Sequence, residues 1–428
     1  MRVTLAKDID YKKLPRRDIL CIDVKGFFAS VEAARRGIDP LEAFIIVMSN
    51  PELPGGLVLA ASPKVKEVFG YKTGTRRFEI IDDPRLMIVE PHMKDYIRMN
   101  DKVNKILRRY TDDSNWFPYS IDESFIDVTG SHSLFGDNLA IAFNAQQAIY
   151  RELGLAVAIG IGDNPLLAKL ALDNEAKNNP FGIATWTYET VHKIHEIPKL
   201  TDMWGIGHKT AKKLEQMNIK SVKQLAEADP YRLHSKFGVL GLQLFYHAHG
   251  VDYSILSERY VPKSKSYGKS QILDRDYLIQ YEIEVVIREM ADQVASRLRD
   301  HKSTCAVIHL TVGNSKNEIN KGFSQQVSLS PTNQSKEIIE QCLIIFRKNY
   351  KDEAVRSIAI SASKIAYQES IQLNLFESPI DTLNKKQLDE TVDKVRNKYG
   401  YSSLVHASSL TAGGKAIARS KLVGGHRG

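Results

Sequence analysis

The run Ile19-Leu20-Cys21-Ile22-Asp23-Val24 constrains the fold more than any other stretch. It is short, apolar and ends in an acid, which reads as a buried strand. A helix is expected from Phe27 to Ala34. The apolar run Phe44 to Met48 reads as a second strand. The Ser-Asn-Pro and Pro-Gly-Gly segments then form a loop before a new strand from Leu57 to Ala61. Helical periodicity occupies about 92–110. Phe117 to Val128 reads as two strands around the tight segment Ser120-Ile121-Asp122-Glu123. A helix follows over Leu139 to Leu153 and a strand over Leu155 to Ile161. Pro165 opens another helix, reaching about Ala176. Strands alternating with helices predict a multi-domain α/β protein.

The chain has 428 residues, enough for two to four domains. Its pattern changes near residue 186 and becomes helical with short loops to about 250. Residues 253–270 read as a basic, polar tether carrying Lys263, Lys265 and Lys269. A second α/β unit is expected over 271–366, with strands at Thr304 to Val312 and Arg356 to Ile365. The remaining residues are polar and Gly/Lys/Arg-rich towards the end, and are expected to be mobile.

No apolar run reaches the ~18 residues that cross a bilayer, so no membrane is expected and a cytoplasmic, nucleoid-associated location is. The three cysteines, Cys21, Cys305 and Cys342, form no metal-spaced pair and no disulfide framework. The net charge of +8 suits a polyanionic partner.

Asp23 ends a buried strand, and Asp122 and Glu123 stand together between two strands about a hundred residues later. Neighbouring carboxylates in apolar surroundings repel and lose hydration, so a cation between them keeps them ionised. Magnesium prefers a few carboxylates plus phosphate oxygens. Two such ions can activate a hydroxyl and stabilise leaving pyrophosphate.

The flanking residues carry a likeness. Ile22-Asp23-Val24-Lys25-Gly26-Phe27-Phe28-Ala29-Ser30-Val31-Glu32 resembles the first motif of Y-family, or translesion, DNA polymerases. Tyr119 to Val128 resembles their second motif and Ala158 to Ala171 their third, in the family's order and at similar spacing. The likeness covers about 15–370 and is closest to the UmuC-like branch of bacterial, plasmid and phage repair polymerases.

This resemblance implies a right hand. Its palm is a mixed sheet from 1–26 and 80–185, with small fingers at 27–79. A helical thumb with a helix–hairpin–helix covers 186–252, a linker 253–270, an α/β little finger 271–366, and a tail 367–428. Asp23, Asp122 and Glu123 would hold two magnesium ions, with the Val24 carbonyl assisting. Phe28 would be a steric gate against the ribose 2′-hydroxyl, the group that separates RNA from DNA building blocks. Lys169 would meet the triphosphate, near the start of a helix that follows a Gly-x-Gly loop. The family's Tyr-x-x-Arg pair in the fingers is missing from Ala60 to Glu67, and Lys64 or Lys66 would take the arginine's place. Lys25 stands where many relatives carry an acid and is not counted as a ligand. Ala60, Ala61 and Gly74 would leave room above the nascent base pair.

Gly205-Ile206-Gly207 followed by Lys209, Lys212 and Lys213 resembles a helix–hairpin–helix that holds DNA by its phosphates. Lys263, Lys265 and Lys269 would follow the same backbone. Gln372-Leu373-Asn374-Leu375-Phe376 resembles the peptide by which bacterial polymerases bind the sliding clamp, with Leu375 and Phe376 as apolar anchors. The implied partners are primer–template DNA, deoxynucleoside triphosphates and the clamp, and the branch also admits a UmuD-like subunit or a recombinase. The expected activity is error-prone DNA synthesis. The alternatives are a DNA- and clamp-binding accessory factor with a silent site and a nucleotidyl cyclase. The intact Asp23, Asp122 and Glu123 oppose the first. Phe28, the helix–hairpin–helix and the clamp peptide oppose the second.

Overall fold

A computed structural model describes residues 9–262, 264–367 and 379–427. The chain forms two compact units, one reaching Arg259 and the other running from Tyr260 to His426.

The first unit carries strands β1 (Ile19–Val24), β2 (Ile45–Ser49), β3 (Leu57–Ala61), β4 (Met87–Val89), β5 (Trp116–Pro118), β6 (Glu123–Asp127), β7 (Val157–Gly162) and β8 (Ile183–Trp186). Its main sheet has the order β5-β6-β1-β7-β8. β1 is antiparallel to both neighbours, whereas β8 runs parallel to β7. β1 lies in the middle because it is apolar on both faces. Leu20, Ile22 and Val24 enter a core shared with the helices Phe27–Arg35, Met93–Leu107 and Asn138–Leu153. Ile19 and Cys21 enter a second core, built on the helix Pro165–Asn174 and continued by buried residues between Leu200 and Ala248. A smaller sheet, β3-β2-β4, closes a separate core around Ile46, Met48, Val58 and Val65.

Gly160 and Gly162 correct one expectation. Both lie inside β7, not in a phosphate loop. A Cβ on Gly160 would stand 2.0 Å from the Ala168 carbonyl oxygen, and one on Gly162 2.3 Å from the Ala168 nitrogen. These glycines let the helix Pro165–Asn174 lie directly on the strand. The helix start is closed too: buried Asn164 accepts a hydrogen bond from the Leu167 N–H at 2.9 Å.

The second unit holds β9 (Tyr267–Tyr277), β10 (Ser303–Asn314), β11 (Gly322–Thr332) and β12 (Val355–Ser363), in the order β11-β10-β12-β9. The helices Gln280–Asp300 and Ser335–Asn349 pack on one face over Leu273, Ile308, Leu310 and Ile360. The expected tether is shorter than 253–270, because β9 begins at Tyr267. Lys269 therefore lies inside a strand. It pairs in register with the core residue Ile360, on the helix-covered side, while Gly268 and Ser270 take the open side.

The expected mobile tail is also corrected over 379–427. The helix Pro379–Tyr399 and the residues after it cover the outer side of Gln280–Asp300. Arg396 Nη1 lies 2.7 Å from Asp292 Oδ2, and Arg419 Nη2 lies 3.1 Å from Glu289 Oε2. Arg299 reaches back to Asp389 at 3.1 Å. Asp292 and Glu289 are buried, a state that carboxylates tolerate when paired.

Candidate active site

β1 and β6 bring the predicted acids together. Asp23 pairs in register with Glu123, and the Val24 N–H donates to the Asp122 carbonyl at 3.0 Å. Like charges opposite one another across a ladder destabilise it. Here two lysines offset that repulsion. Lys177 Nζ lies 3.1 Å from Asp23 Oδ2, and Lys169 Nζ lies 2.7 Å from Glu123 Oε1. Asp173 sits between the lysines, 2.9 Å from each. Burial pushes the Asp23 carboxyl up to about 6, against the pull of Lys177, with Asp122 adding to the rise. The Cys21 thiol donates to Glu123 Oε1 at 3.1 Å, and burial pushes that thiol well above its ordinary range.

The segment before Glu123 is held from both sides. Asn100 donates to the Ile121 carbonyl at 2.7 Å, and the Ser120 hydroxyl donates to Asp122 Oδ1 at 2.6 Å. A cleft of ~1140 Å³ opens over these residues, lined by Asp23, Val24, Lys25, Phe28, Asp122 and Lys177 among others. Phe28 lies at the start of its helix, and its ring stacks on Tyr96 with centroids 4.5 Å apart. Gly26 gives the turn into that helix at φ +59°. A Cβ there would meet the Ala61 carbonyl oxygen at 2.9 Å, so the position needs glycine for both conformation and space.

Several predicted residues fall elsewhere. Lys169 does not line the cleft. It is buried beneath the sheet end, bonded to Glu123 and Asp173, which corrects its assignment to the triphosphate. Lys177, which the sequence did not single out, lines the cleft together with Lys25 and Lys66. Its signal was the row Lys169, Asp173, Lys177, spaced four residues apart across the end of the helix Pro165–Asn174. Of the two fingers lysines, Lys66 borders the cleft, whereas Lys64 is drawn to Glu67 at 3.4 Å and Glu42 at 3.9 Å. Ala60 borders the cleft, while Ala61 is buried in the small-sheet core. Among the described residues, no group of His, Cys, Asp and Glu stands preassembled as a metal cage. The donors present are nonetheless hard oxygens, and ammonium groups already compensate Asp23 and Glu123.

Gly205 adopts φ +90°, and Gly207 caps the helix His208–Glu215. Lys209, Lys212 and Lys213 are exposed, with Ile206 buried beneath as the anchor. A second cleft of ~790 Å³ lies beside this segment, lined by Tyr119, Asp173, Asn178, Trp204, Gly205 and Gly207 among others. Trp204 Nε1 donates to the Tyr119 hydroxyl at 3.2 Å across it. Lys265 is exposed and bonded to the Tyr367 hydroxyl at 2.9 Å. Lys263 and the peptide Gln372, Leu373, Asn374, Leu375 and Phe376 lie outside the described residues.

Residues 22–173 match the impB/mucB/samB family, 264–375 that family's C-terminal domain, and 201–252 the DNA polymerase-iota thumb domain. UvrX of Bacillus subtilis (strain 168), named for UV-damage repair, is 41% identical over 421 residues, spanning 98% of this chain and 100% of that one. The chain belongs to the Y family of DNA polymerases. A DNA polymerase IV 2 from the same organism is 34% identical over 412 residues, 95% of this polymerase and 98% of its own length. A solved Y-family DNA polymerase chimera of Dbh and Dpo4 shares the fold at TM-score 0.66 and 18% identity, covering 82% of this chain and 100% of that one. This Y-family polymerase is accordingly a DNA-directed DNA polymerase, of a family that is metal-dependent and acts on a DNA template. No helix among its described residues is long and apolar enough to cross a membrane.

Proposed function

We propose that this polymerase copies damaged DNA by two-metal nucleotidyl transfer, in the cytoplasm and at the nucleoid. The observation that carries the reading is the shared lining of one cleft by Asp23, Asp122, Phe28 and Lys177. On this reading residues 1–26 and 80–185 are the palm, 27–79 the fingers, 186–252 the thumb, and the second unit holds the little finger.

Asp23, Asp122 and Glu123, with the Val24 carbonyl, would hold two magnesium ions. A carboxyl lifted by burial, as Asp23 is, ionises fully beside a divalent cation. When bound, the metals activate the primer 3′-hydroxyl and neutralise the departing pyrophosphate. Lys169 pairs with Glu123 and orients it from below. Lys177 and Lys66 meet the triphosphate, and Phe28 excludes the ribose 2′-hydroxyl. The small side chain of Ala60 leaves the room that a distorted template base needs. Gly205 and Gly207 with Lys209, Lys212 and Lys213 grip the phosphates of primer–template DNA, and Lys263 and Lys265 extend that grip. Gln372, Leu373, Leu375 and Phe376 engage the sliding clamp. That contact raises the local concentration of a weakly held enzyme. A UmuD-like subunit or a recombinase completes the set of partners.

Primer extension on intact and on UV-damaged templates, with magnesium and four deoxynucleotides, tests the reading. Synthesis past the lesion by the wild type and none by Asp122→Ala is the expected result. Arrest at every lesion, or undiminished extension by the variant, would overturn it.

A further inference from the structure

Glu32 is a carboxylate with no exposure to solvent, and no step of the reaction uses it. It stands one turn after Phe28 on the helix Phe27–Arg35. Burying a charge is costly unless every acceptor is matched, and this one is surrounded by donors. The Tyr96 hydroxyl donates to Glu32 Oε1 at 2.8 Å, and His92 Nδ1 lies 2.8 Å from the same oxygen. Arg35 Nη1 approaches it at 3.3 Å, and Arg36 engages the other oxygen. A hydrocarbon side chain would fill the same volume without needing these partners, so the carboxylate serves what it holds.

What it holds is Tyr96. That side chain is wholly buried, and its ring lies face to face with Phe28, centroids 4.5 Å apart and planes 14° from parallel. Phe27 meets the same ring edge-on at 6.4 Å. Phe28 borders the cleft, and one face of its ring rests on Tyr96. A ring that excludes a hydroxyl by contact does so only while it cannot turn aside. Stacking alone permits sliding, because the attraction between offset rings is broad. Fixing the far end of the supporting ring by a charge-assisted hydrogen bond removes that freedom.

We propose that Glu32 and Tyr96 are positioning residues for sugar discrimination: the Glu32 carboxylate pins the Tyr96 hydroxyl, and the Tyr96 ring backs Phe28 so that the gate cannot yield to a ribose. The proposal rests on the reading of Phe28 as the gate.

The test measures insertion efficiency for nucleotides bearing hydrogen, fluorine or hydroxyl at the 2′ position, using the full chain on primer–template DNA. Tyr96→Phe keeps the ring and deletes the bond to Glu32. Its ribo-to-deoxynucleotide efficiency ratio rises about tenfold, the weight of one hydrogen bond to a charged group. The gain grows with the size of the 2′ substituent. Glu32→Gln, whose amide oxygen still accepts from Tyr96, raises the ratio less than Tyr96→Phe. Phe28→Ala raises it most. An unchanged ratio in Tyr96→Phe, or an equal slowing on all three nucleotides, overturns the proposal while Phe28→Ala still responds. If Phe28→Ala leaves the ratio unchanged, the gate reading itself is at fault.

Discussion

Replacing Lys177 with methionine keeps most of the stem and deletes a charge that lies 3.1 Å from Asp23. Two unit charges at that separation interact by ~5 kcal/mol at an effective dielectric of about 20. The lysine side chain is 34% exposed, so solvent screening reduces the net loss to about 2 kcal/mol. For a unit of this size that corresponds to a fall in Tm of roughly 4–8 °C. The fall should be largest without metal, where Asp23, Asp122 and Glu123 are left with Lys169 alone, and should shrink when magnesium supplies the missing charge. The pH dependence has a definite sign. The folded carboxyl of Asp23 sits at about 6, above its ordinary value, so its ionised form weakens the fold as pH rises towards and past 6. The variant's loss should therefore be full at pH 8 and fade as pH falls through about 6. Thermal unfolding at pH 8 and pH 5, each with EDTA and with magnesium, decides the matter. The same Tm loss in all four conditions would refute the argument that Lys177 acts as a resident counter-charge for the acids.

The other expectations follow from the same geometry. Lys169→Met breaks a buried pair with Glu123 and should cost about 3 kcal/mol in a denaturant titration, with little change in KM for deoxynucleotides, whereas Lys177→Met should raise that KM. Gly160→Ala drives a Cβ into the backbone of the helix Pro165–Asn174 and should leave little soluble, cooperatively folding protein in a calorimetric scan. Primer–template affinity should fall steeply with salt. Removing Lys209, Lys212 and Lys213 together should reduce the log–log slope by about 3 at most, and an unchanged slope would place the phosphate grip elsewhere.

The α/β layering and the acid-bearing strand were legible because they are local. An unbroken apolar run has one comfortable place, and Asp23 at its end follows from that run. The pairing of Asp122 and Glu123 with Asp23 was legible from the motifs around them. The lysines were not, for a reason that concerns glycine. The Gly160-Ile161-Gly162 pattern is the same whether backbone approaches a phosphate or a helix approaches a strand. Only packing separates the two, and here it buried Lys169 and left Lys177 in the cleft. Residues 379–427 were misread because polarity was taken for mobility. Arg396 and Arg419 are buried against Asp292 and Glu289, which lie 104 and 130 residues earlier in the chain, and no local pattern reports such pairs.

Those two pairs also set an order of events. The helix Gln280–Asp300 presents its sheet-facing residues to neighbours made soon afterwards, but Glu289 and Asp292 wait for arginines synthesised more than a hundred residues later. During synthesis Asp292 is without Arg396, and Glu289 without Arg419, until those later residues have been made. A chain lacking Arg396 and Arg419 would leave the Asp292 and Glu289 carboxylates without these partners, a costly state for buried charges. The outer side of Gln280–Asp300 therefore depends on partners supplied from residues 379–427.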